Sequence, residues 1–600
     1  MLHRTSIRTL AAGFVLASAA SAGTLYVDVN RTTGANNGSS WGDAFQGVDG
    51  LQSALAAAVS GDQIWVAAGV YKPTLTTTRT IYFQLANGVE VYGGFDGTES
   101  VLTQRDFALN VTTLSGDLLG NDGSSAFGDN SFHVLQGAGT NATAVIDGFV
   151  VTGGNANSAT NNQDKGGGIL CLSGASPTVR NCTFTLNRCT FGGGAGYINS
   201  SSPSFTDCVF DGNVGGSFGG AFDMASGVAA TFNRCVFRNN TAARAGAIEI
   251  FGSSPVKVWN CLFHNNTSTG TGGGGAIFVS SSTPQIRNCT VVFNSATANA
   301  TGGILGAGGT VINCVVFSNT GSGGSSGATA QLSPSNMNVT YSLTSTGFTG
   351  IGNVTATPLF DNCGPQPYRL ATNSPGIDAG SNAGVPAGST HDLAGAPRFG
   401  DSVLVVDSGS GTGAIVDMGA FESSDCNGNS VADWCDLQAG TSLDVNANGL
   451  PDDCECQGGT PPVVYCTAKI NSQFCLPSIS ATGFASLSIP APFSIEAVNI
   501  VNQKQGLLFY GYGAGATPFL GGFLCTTTPL RRTPAQNSGG SVAGSDCSGS
   551  FAFDFNAWIA TGADPLLVVG QQVNAQFWSR DPQDPFTTNL TDAVQFSICQ

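Results

Sequence analysis

Charged side chains are scarce in this 600-residue sequence. Only 10% of its residues are Asp, Glu, Lys or Arg, and 38 acids outnumber 21 bases, which gives a formal net charge of −17. A protein that binds nucleic acid needs a dense basic surface to release phosphate counterions. The scarcity of Lys and Arg therefore excludes nucleic acid as a partner and disfavours acidic partners in general.

Long apolar runs are missing beyond the amino terminus. The chain begins with a basic flank and an apolar run that ends at Ala20, followed by Ser21 and Ala22 before Gly23. This order is typical of a secretory signal peptide, so we expect cleavage after Ala22 and removal of residues 1–22. No later run has the length of a membrane span. The sequence predicts a secreted, extracellular or cell-surface protein without a transmembrane span in the mature chain.

A cysteine-centred repeat occupies the middle of the sequence. The cysteines recur every 25 to 28 residues, each with Val, Ile or Phe three positions earlier, Phe or Val two positions later and Asn five positions later. They are Cys182, Cys208, Cys235, Cys261, Cys289 and Cys314. Short β-branched and aromatic runs between Gly and Asn turns at this period are typical of a β-solenoid and leave no room for a helix. We predict a right-handed parallel β-helix with core repeats at about residues 145–345.

Each repeated column has a predicted structural role. Coils stacked about 4.8 Å apart place like residues on like, so that every column becomes a ladder. The cysteine column is expected to fill the core rather than to carry redox or metal chemistry. The Asn column is expected to lie in a tight bend, bonded from coil to coil through its amides, with its backbone in the left-handed region. Export to an oxidising compartment implies that the 18 cysteines divide into disulfides and shielded thiols.

Glycine-rich strands in the same repeats predict a candidate site. If Leu170 and Leu172 face the interior, the outward column contains Cys171, Tyr197, Asp223, Glu249 and Phe278. Asp223 and Glu249 would then lie on neighbouring coils, close to the separation of about 5 to 5.5 Å found between the carboxylates of retaining glycosidases. Tyr197 and Phe278 are the candidate residues for holding a sugar ring. The column is therefore a candidate catalytic or substrate-binding site.

A second charged group lies three positions after the cysteines. Asp211, Arg238 and His264 fall on consecutive coils beside Asp207 and Arg234. Opposite charges on neighbouring strands form ion pairs, which explains this group more simply than catalysis.

Two known families resemble parts of this sequence. The pairing of Phe-x-x-Asn with Gly-Gly-Ala-Ile over residues 166–320 resembles the repeat of the chlamydial polymorphic membrane proteins, which are surface β-helix adhesins and autotransporters. Residues 61–71, 88–95 and 146–154 resemble the amino-terminal part of bacterial right-handed β-helix proteins with the pectin-lyase-like fold. Residues 374–380 and 416–422 resemble the usual exit from that domain. The resemblance implies one bacterial β-helix domain over residues 23–422.

An open solenoid end must be covered. Residues 48–59 read as an amphipathic helix in which Leu51, Leu55 and Val59 share one face. We expect this helix to cap the amino-terminal end of the β-helix.

Two acidic loops over residues 423–456 predict a calcium-binding linker. The second matches the D-x-[DN]-x-[DN]-G-x-x-x-x-x-E pattern, in which oxygen ligands wrap a hard cation. Its expected ligands are Asp444, Asn446, Asn448, Leu450, Asp452 and Glu455. The first loop has Ser430 in place of Gly and is expected to bind less well, through Asp425, Asn427, Asn429, Val431, Asp433 and Asp436. The loops are too close together for EF-hand helices and resemble thrombospondin type 3 repeats; a polar linker without metal is the alternative.

Residues 457–600 form the last predicted domain. With Cys456 they contain six cysteines, enough for three disulfides whose connectivity the sequence leaves open. Strand-like runs predict a β-sandwich-like module, and its aromatic residues are expected to fill the core rather than to stack on sugars.

Neither the clustered aspartates of polygalacturonases nor the calcium-binding acids and arginine of pectate lyases can be recognised in the sequence. The leading hypothesis is therefore a non-catalytic cell-surface or matrix protein with an adhesion, structural or carbohydrate-binding role, whose partner is an extracellular polysaccharide or surface component. The alternative is an extracellular polysaccharide lyase or glycoside hydrolase of the pectin-lyase-like fold.

Overall fold

The structure is a computed structural model. It describes residues 22–599 except 125, 299, 346, 347, 349, 362, 364–367, 403, 404, 427, 428, 443–450, 452–461, 488–491 and 569. The predicted signal peptide lies outside this range apart from Ala22. Within the described residues, no helix combines the length and the apolar character that a membrane crossing requires.

Three parallel sheets run the length of a right-handed β-helix. The first sheet contains Thr24–Val27, Gln63–Ala67, Glu90–Phe95, Val145–Asp147, Thr178–Arg180, Ser204–Thr206, Thr231–Asn233, Lys257–Trp259, Gln285–Arg287, Thr310–Ile312 and Asn338–Thr340. The second contains Gly69–Tyr71, Thr112–Ser115, Phe149–Thr152, Thr183–Thr185, Val209–Asp211, Val236–Arg238, Leu262–His264, Thr290–Val292, Val315–Phe317 and Leu343–Thr344. The third contains Phe83–Gln84, Leu135–Gln136, Ile169–Leu172, Gly196–Asn199, Phe222–Ala225, Ile248–Phe251, Ile277–Ser280, Ile304–Ala307 and Leu332–Ser335. The predicted fold class is confirmed.

Short elements complete the coils. Two small parallel ladders join Asn155–Ala156 to Arg188–Cys189 and join Thr241–Ala242, Thr267–Thr271 and Ser295–Ala298. The helical turns of this part of the chain are Trp41–Asp43, Leu102–Gln104, Asp122–Ser124, Ser322–Gly324, Ala328–Gln331 and Asn382–Gly384.

One continuous apolar core fills the β-helix, as the repeated columns predict. The rings of Phe237 and Phe263 stack in parallel with their centroids 4.5 Å apart, and those of Phe210 and Phe237 are 4.8 Å apart. All six repeat cysteines are unpaired and at most 1% exposed. Burial raises the pKa of the Cys182 and Cys208 thiols. These thiols stay protonated and inert at neutral pH, which supports their predicted role as core filler.

The repeat asparagines form the predicted ladder. Asn240 donates from Nδ2 to Oδ1 of Asn266 at 2.9 Å and to the Phe210 carbonyl at 2.8 Å. Its own Oδ1 accepts bonds from the backbone N–H and the side chain of Asn213, both at 3.0 Å. The six members are Asn187, Asn213, Asn240, Asn266, Asn294 and Asn319, all 0% exposed. Each amide thus satisfies backbone groups that the bend would otherwise leave buried and unpaired.

The prediction that the ladder asparagine has a left-handed backbone conformation is wrong. The residue directly before each ladder asparagine adopts that conformation instead. Leu186, Asn239 and Asn265 have φ values of 57°, 56° and 56°. The predecessor turns the chain, and its side chain points away from the core, whereas the ladder asparagine returns inward to reach its neighbours.

The amino-terminal cap is shorter than predicted. Its helix is Gly50–Ala57, and Leu51 and Ala54 are buried against the first coil. Val59 lies beyond the helix and is 49% exposed, so its predicted place on the buried face is wrong. The chain turns at Ala58, whose extended backbone ends the helix before it reaches Val59.

The chain leaving the last coil folds back over the outer side of the second sheet. Leu370, Ile377, Met418 and Phe421 pack there against the outward residues Leu262, Val292 and Val315. The short helix Asp433–Ala439 follows, and a Cys363–Cys435 disulfide joins it to the exit segment.

Residues 463–597 form antiparallel sheets, as expected of a β-sandwich-like module. One sheet contains Val463–Tyr465, Gln505–Gly511, Arg531–Arg532, Gln536–Asn537, Gln572–Arg580 and Thr588–Ser597. A three-stranded sheet contains Ser478–Thr482, Ser494–Ile500 and Gly549–Asp554, and a hairpin joins Ala514–Phe519 to Gly522–Thr526, with one helix at Phe555–Ala560. Disulfides Cys466–Cys525 and Cys475–Cys547 cross-link the module, and Tyr510 is fully buried in its core.

Candidate functional site

Four of the five residues predicted to form the outward column lie in it. Tyr197 pairs in register with Asp223, Asp223 with Glu249, and Glu249 with Phe278 along the third sheet. Cys171 is not a member, because it pairs with Ile198 and is 0% exposed, while Leu170 pairs with Tyr197. The predicted orientation of this first strand is thus displaced by one residue, which in a strand moves every side chain to the opposite face.

Both candidate acids are covered. Asp223 is 5% exposed and Glu249 is 1% exposed. Asp223 packs against the backbone of the preceding coil, since a Cβ placed on Gly192 would lie 2.0 Å from its Oδ2. The backbone there needs glycine to leave room for the carboxylate.

Arg244 forms a clamp over Glu249. Its guanidinium donates to both carboxylate oxygens, with Nε 3.1 Å from Oε2. The same group lies 4.4 Å from the centroid of Phe218 and 4.8 Å from that of Phe278. Cation–π contacts on both sides fix the guanidinium in place. Glu249 is therefore a bound counter-ion of Arg244 rather than a carboxylate open to solvent.

A second cation stands at the other end of the column. The ammonium of Lys165 lies 4.6 Å from the centroid of Phe191 and 5.7 Å from that of Tyr197. Phe191 and Phe218 meet edge to face at 4.8 Å, which links the two cations through aromatic rings. Phe191 is 39% exposed, whereas Tyr197 is only 6% exposed. We name the outward surface of Lys165, Phe191, Phe218, Arg244 and Phe278 the aromatic–cation face.

Sequence reasoning missed Lys165, Phe191, Phe218 and Arg244. They lie outside the strands, so the repeated strand columns do not predict where their side chains point. A signal for them was present, because each stands directly before a small-residue pair that opens the glycine-rich segment, Gly-Gly in three coils and Ala-Gly in the coil of Arg244.

The pKa of Asp223 is raised to about 7, first by burial and then by the negative charge of Glu249, while Arg244 and Lys165 oppose the shift. Because the folded pKa exceeds the unfolded value, the folded state holds the extra proton between about pH 4 and pH 7. Stability is highest below this window and falls as the pH rises through it.

We predict that Asp223→Asn removes this pH dependence. The amide keeps the size of the side chain and cannot ionise. Wild-type stability is expected to fall towards pH 8 with a slope of up to about 1.4 kcal/mol per pH unit for this one group. The measurement is the free energy of unfolding in urea at pH 5 and pH 8. Equal pH slopes in the two proteins would contradict the assignment.

The second charged group forms cross-strand ion pairs, as predicted. Arg234 binds both carboxylate oxygens of Asp207 at 2.7 Å, and Arg238 binds Asp211 at 2.9 Å. Burial and the charge of Arg238 lower the pKa of His264 to about 4, so this histidine is neutral at pH 7. Asp207, Arg234, Arg238 and His264 border a 240 Å³ cavity under the exit segment.

The first predicted calcium loop is described in part. Asp425 accepts bonds from the backbone N–H groups of Asn429 and Ser430 at 3.1 and 2.9 Å, and the Asn429 amide donates to Asp436 at 2.9 Å. Burial, and after it the charges of Asp425 and Asp436, raise the pKa of Asp433. Val431 is 42% exposed. In the described part of the loop, the carboxylate oxygens of Asp425, Asp433 and Asp436 do not all lie within 4.8 Å of one another.

The other predicted ligands lie outside the described residues. They are Asn427, Asp444, Asn446, Asn448, Leu450, Asp452 and Glu455. Calcium binding at the two loops stays a prediction.

Comparison with known proteins supports the fold. A family model described as "Right handed beta helix region" matches residues 80–271 and 167–339. No curated protein matches the sequence. A solved structure of pectate lyase Pel9A is 17% identical, and the alignment covers 67% of this chain and 96% of that one with a TM-score of 0.31. The family model agrees with the right-handed parallel β-helix that the three sheets form.

Proposed function

We propose that this chain is a secreted protein of the cell surface or matrix that binds polysaccharide on the aromatic–cation face without cleaving it. One observation carries the proposal: the two acids are covered, with Glu249 clamped by Arg244, while Phe191 and Phe278 remain partly open to solvent. Aromatic rings held rigidly by cations suit the apolar faces of sugars. A carboxylate that must reach a substrate does not suit a position that is 1% exposed.

The rest of the architecture fits a display role. A solenoid presents a long, regular surface, because each further coil extends the same face. We propose that the calcium loops and disulfides stiffen the connection to the carboxyl-terminal module. We propose that the module and linker position the β-helix outside the cell.

We predict that Phe191→Ala and Phe278→Ala each weaken polysaccharide binding about tenfold, the loss typical of a central aromatic contact. Binding is measured by affinity electrophoresis and calorimetry against a panel of neutral and acidic polysaccharides. Phe251→Ala is the control, because Phe251 is 44% exposed at the last position of the strand Ile248–Phe251 in the same sheet but is not part of the aromatic–cation face. Loss of binding in the Phe251 variant alone, or no binding to any member of the panel, would contradict the proposal.

A glycoside hydrolase or polysaccharide lyase is the second candidate. Asp223, with its pKa near 7, stands beside Glu249, whose charge Arg244 stabilises. Pairs of carboxylates in unlike environments divide acid and base roles in glycosidases. This candidate requires Arg244 to release Glu249 when substrate binds.

A further inference from the structure

Three acids gather where the chain leaves the β-helix, away from both the aromatic–cation face and the calcium loops. Asp378, Asp401 and Asp407 each present a carboxylate oxygen within 4.8 Å of the other two. Asp378 is 0% exposed, whereas Asp401 and Asp407 lie at the surface. The group therefore opens to solvent on one side and ends on a buried carboxylate on the other.

The buried carboxylate has no side-chain donor as a partner in the part of the chain that the structure describes. Neither oxygen of Asp378 accepts a hydrogen bond of normal geometry, and the backbone N–H of Ser402 is the one group that favours its charged form. Buried polar groups are nearly always hydrogen-bonded, and a buried charge without a partner costs several kcal/mol by the usual estimates. An unsatisfied carboxylate that points at two further carboxylates indicates a missing positive charge.

Local charges do not supply that positive charge. The side-chain charges that act on Asp378 are those of Asp417, Asp401 and Asp407, all negative. Arg398, a buried cation of this region, is paired with Glu422 at 3.2 Å. A cation from solution is the remaining source.

The backbone holds the three acids in place. The N–H of Asp378 donates to Oδ1 of Asp417 at 2.8 Å, and its carbonyl accepts bonds from Ser408 and Gly409 at 2.9 and 3.0 Å. Asp407 directly precedes this anchored pair, and Asp401 directly precedes Ser402, which is 0% exposed. The positions of the acids are thus fixed by their neighbours and do not depend on the side chains themselves.

We propose that Asp378, Asp401 and Asp407 bind one divalent cation, with calcium the ion that their chemistry suits. Calcium takes six to eight oxygen ligands in flexible geometry, and carboxylates from separate segments with water on an open side meet that need. Magnesium demands a near-ideal octahedron, which three acids from irregular segments do not build. The ion ties Asp401 and Asp407 to the segment of Asp378 at the exit of the β-helix.

The test uses the full mature chain, stripped with EDTA and titrated with calcium chloride in a calorimeter. Asp401→Asn/Asp407→Asn changes two exposed acids and is expected to bind one calcium fewer than the wild type. Its rise in melting temperature on addition of calcium is expected to shrink. The matched control, Asp444→Asn/Glu455→Gln, makes the same change of charge in the linker and should leave this site intact.

Asp378→Asn gives an independent readout. In EDTA it is expected to melt no lower than the wild type, because it replaces a buried acid whose ionised form has no cation beside it, and it should lose the site's share of the calcium-dependent rise. Equal calcium stoichiometry and equal melting shifts in the wild type and in Asp401→Asn/Asp407→Asn would overturn the proposal. So would a loss confined to the linker control.

Discussion

Replacing Arg398 with leucine is expected to lower the free energy of unfolding by about 3 to 5 kcal/mol, the usual cost of breaking a buried ion pair from one side. Arg398 is 0% exposed and lies 3.2 Å from Oε1 of Glu422, which is itself nearly fully buried. Its Nη2 also donates to the carbonyls of Gly419 and Asp417 at 2.8 and 3.2 Å. The variant leaves Glu422 as an uncompensated charge and two carbonyls unpaired.

Urea denaturation measures this loss of unfolding free energy. Two further variants show whether it comes from the burial of the ion pair and from the charge left on Glu422. Arg238→Leu also removes an arginine from an ion pair, but its side chain is 45% exposed, so a loss below about 1 kcal/mol is expected. Arg398→Leu/Glu422→Gln is expected to recover part of the loss, because it removes the stranded charge. Equal losses of unfolding free energy for Arg398→Leu and Arg238→Leu would show that burial does not determine how much an ion pair stabilises the protein.

Asn240→Ala is expected to cost about 3 to 5 kcal/mol, since four buried hydrogen bonds disappear at about 1 kcal/mol or more each. The lost bonds join Asn240 to Asn213, Asn266 and the Phe210 carbonyl. No water reaches these groups, because the ladder asparagines are 0% exposed. The free energy of unfolding is again the measurement.

The neighbouring residue provides the control for the ladder. Asn239 is exposed and has a φ of 56°, which glycine adopts without strain. Asn239→Gly is expected to cost less than about 1 kcal/mol. A larger loss in the Asn239 variant than in Asn240→Ala would mean that the turn, not the amide ladder, stabilises the bend.

The sequence contains most of the information that determines the β-helix. Columns of Val or Phe, Cys, and Asn recur because stacked coils repeat the same environment, and the structure places them in the core and in the bends. A period read from the sequence does not fix which residue of a turn takes the left-handed conformation. That depends on the path of the backbone, and Asn239 rather than Asn240 adopts it.

The candidate site was predicted only in part, because the sequence period predicts positions in strands but not positions in turns. The register of Asp223 and Glu249 follows from strand alternation, and the structure confirms that they are neighbours. Their burial does not follow from alternation, because Arg244 covers Glu249 from a turn. At the exit of the β-helix, Asp378 lies far from Asp401 and Asp407 in the sequence. Only the folded chain brings their three carboxylates together.

We propose that the aromatic–cation face binds polysaccharide and that the acids beneath it do not cleave it. The most direct test is prolonged incubation with the polysaccharide that binds best, with reducing ends and unsaturated products measured over time. We predict no release above the protein-free control and unchanged binding by Asp223→Asn/Glu249→Gln. Product release by the wild type that disappears in this double variant would contradict the claim and identify an enzyme.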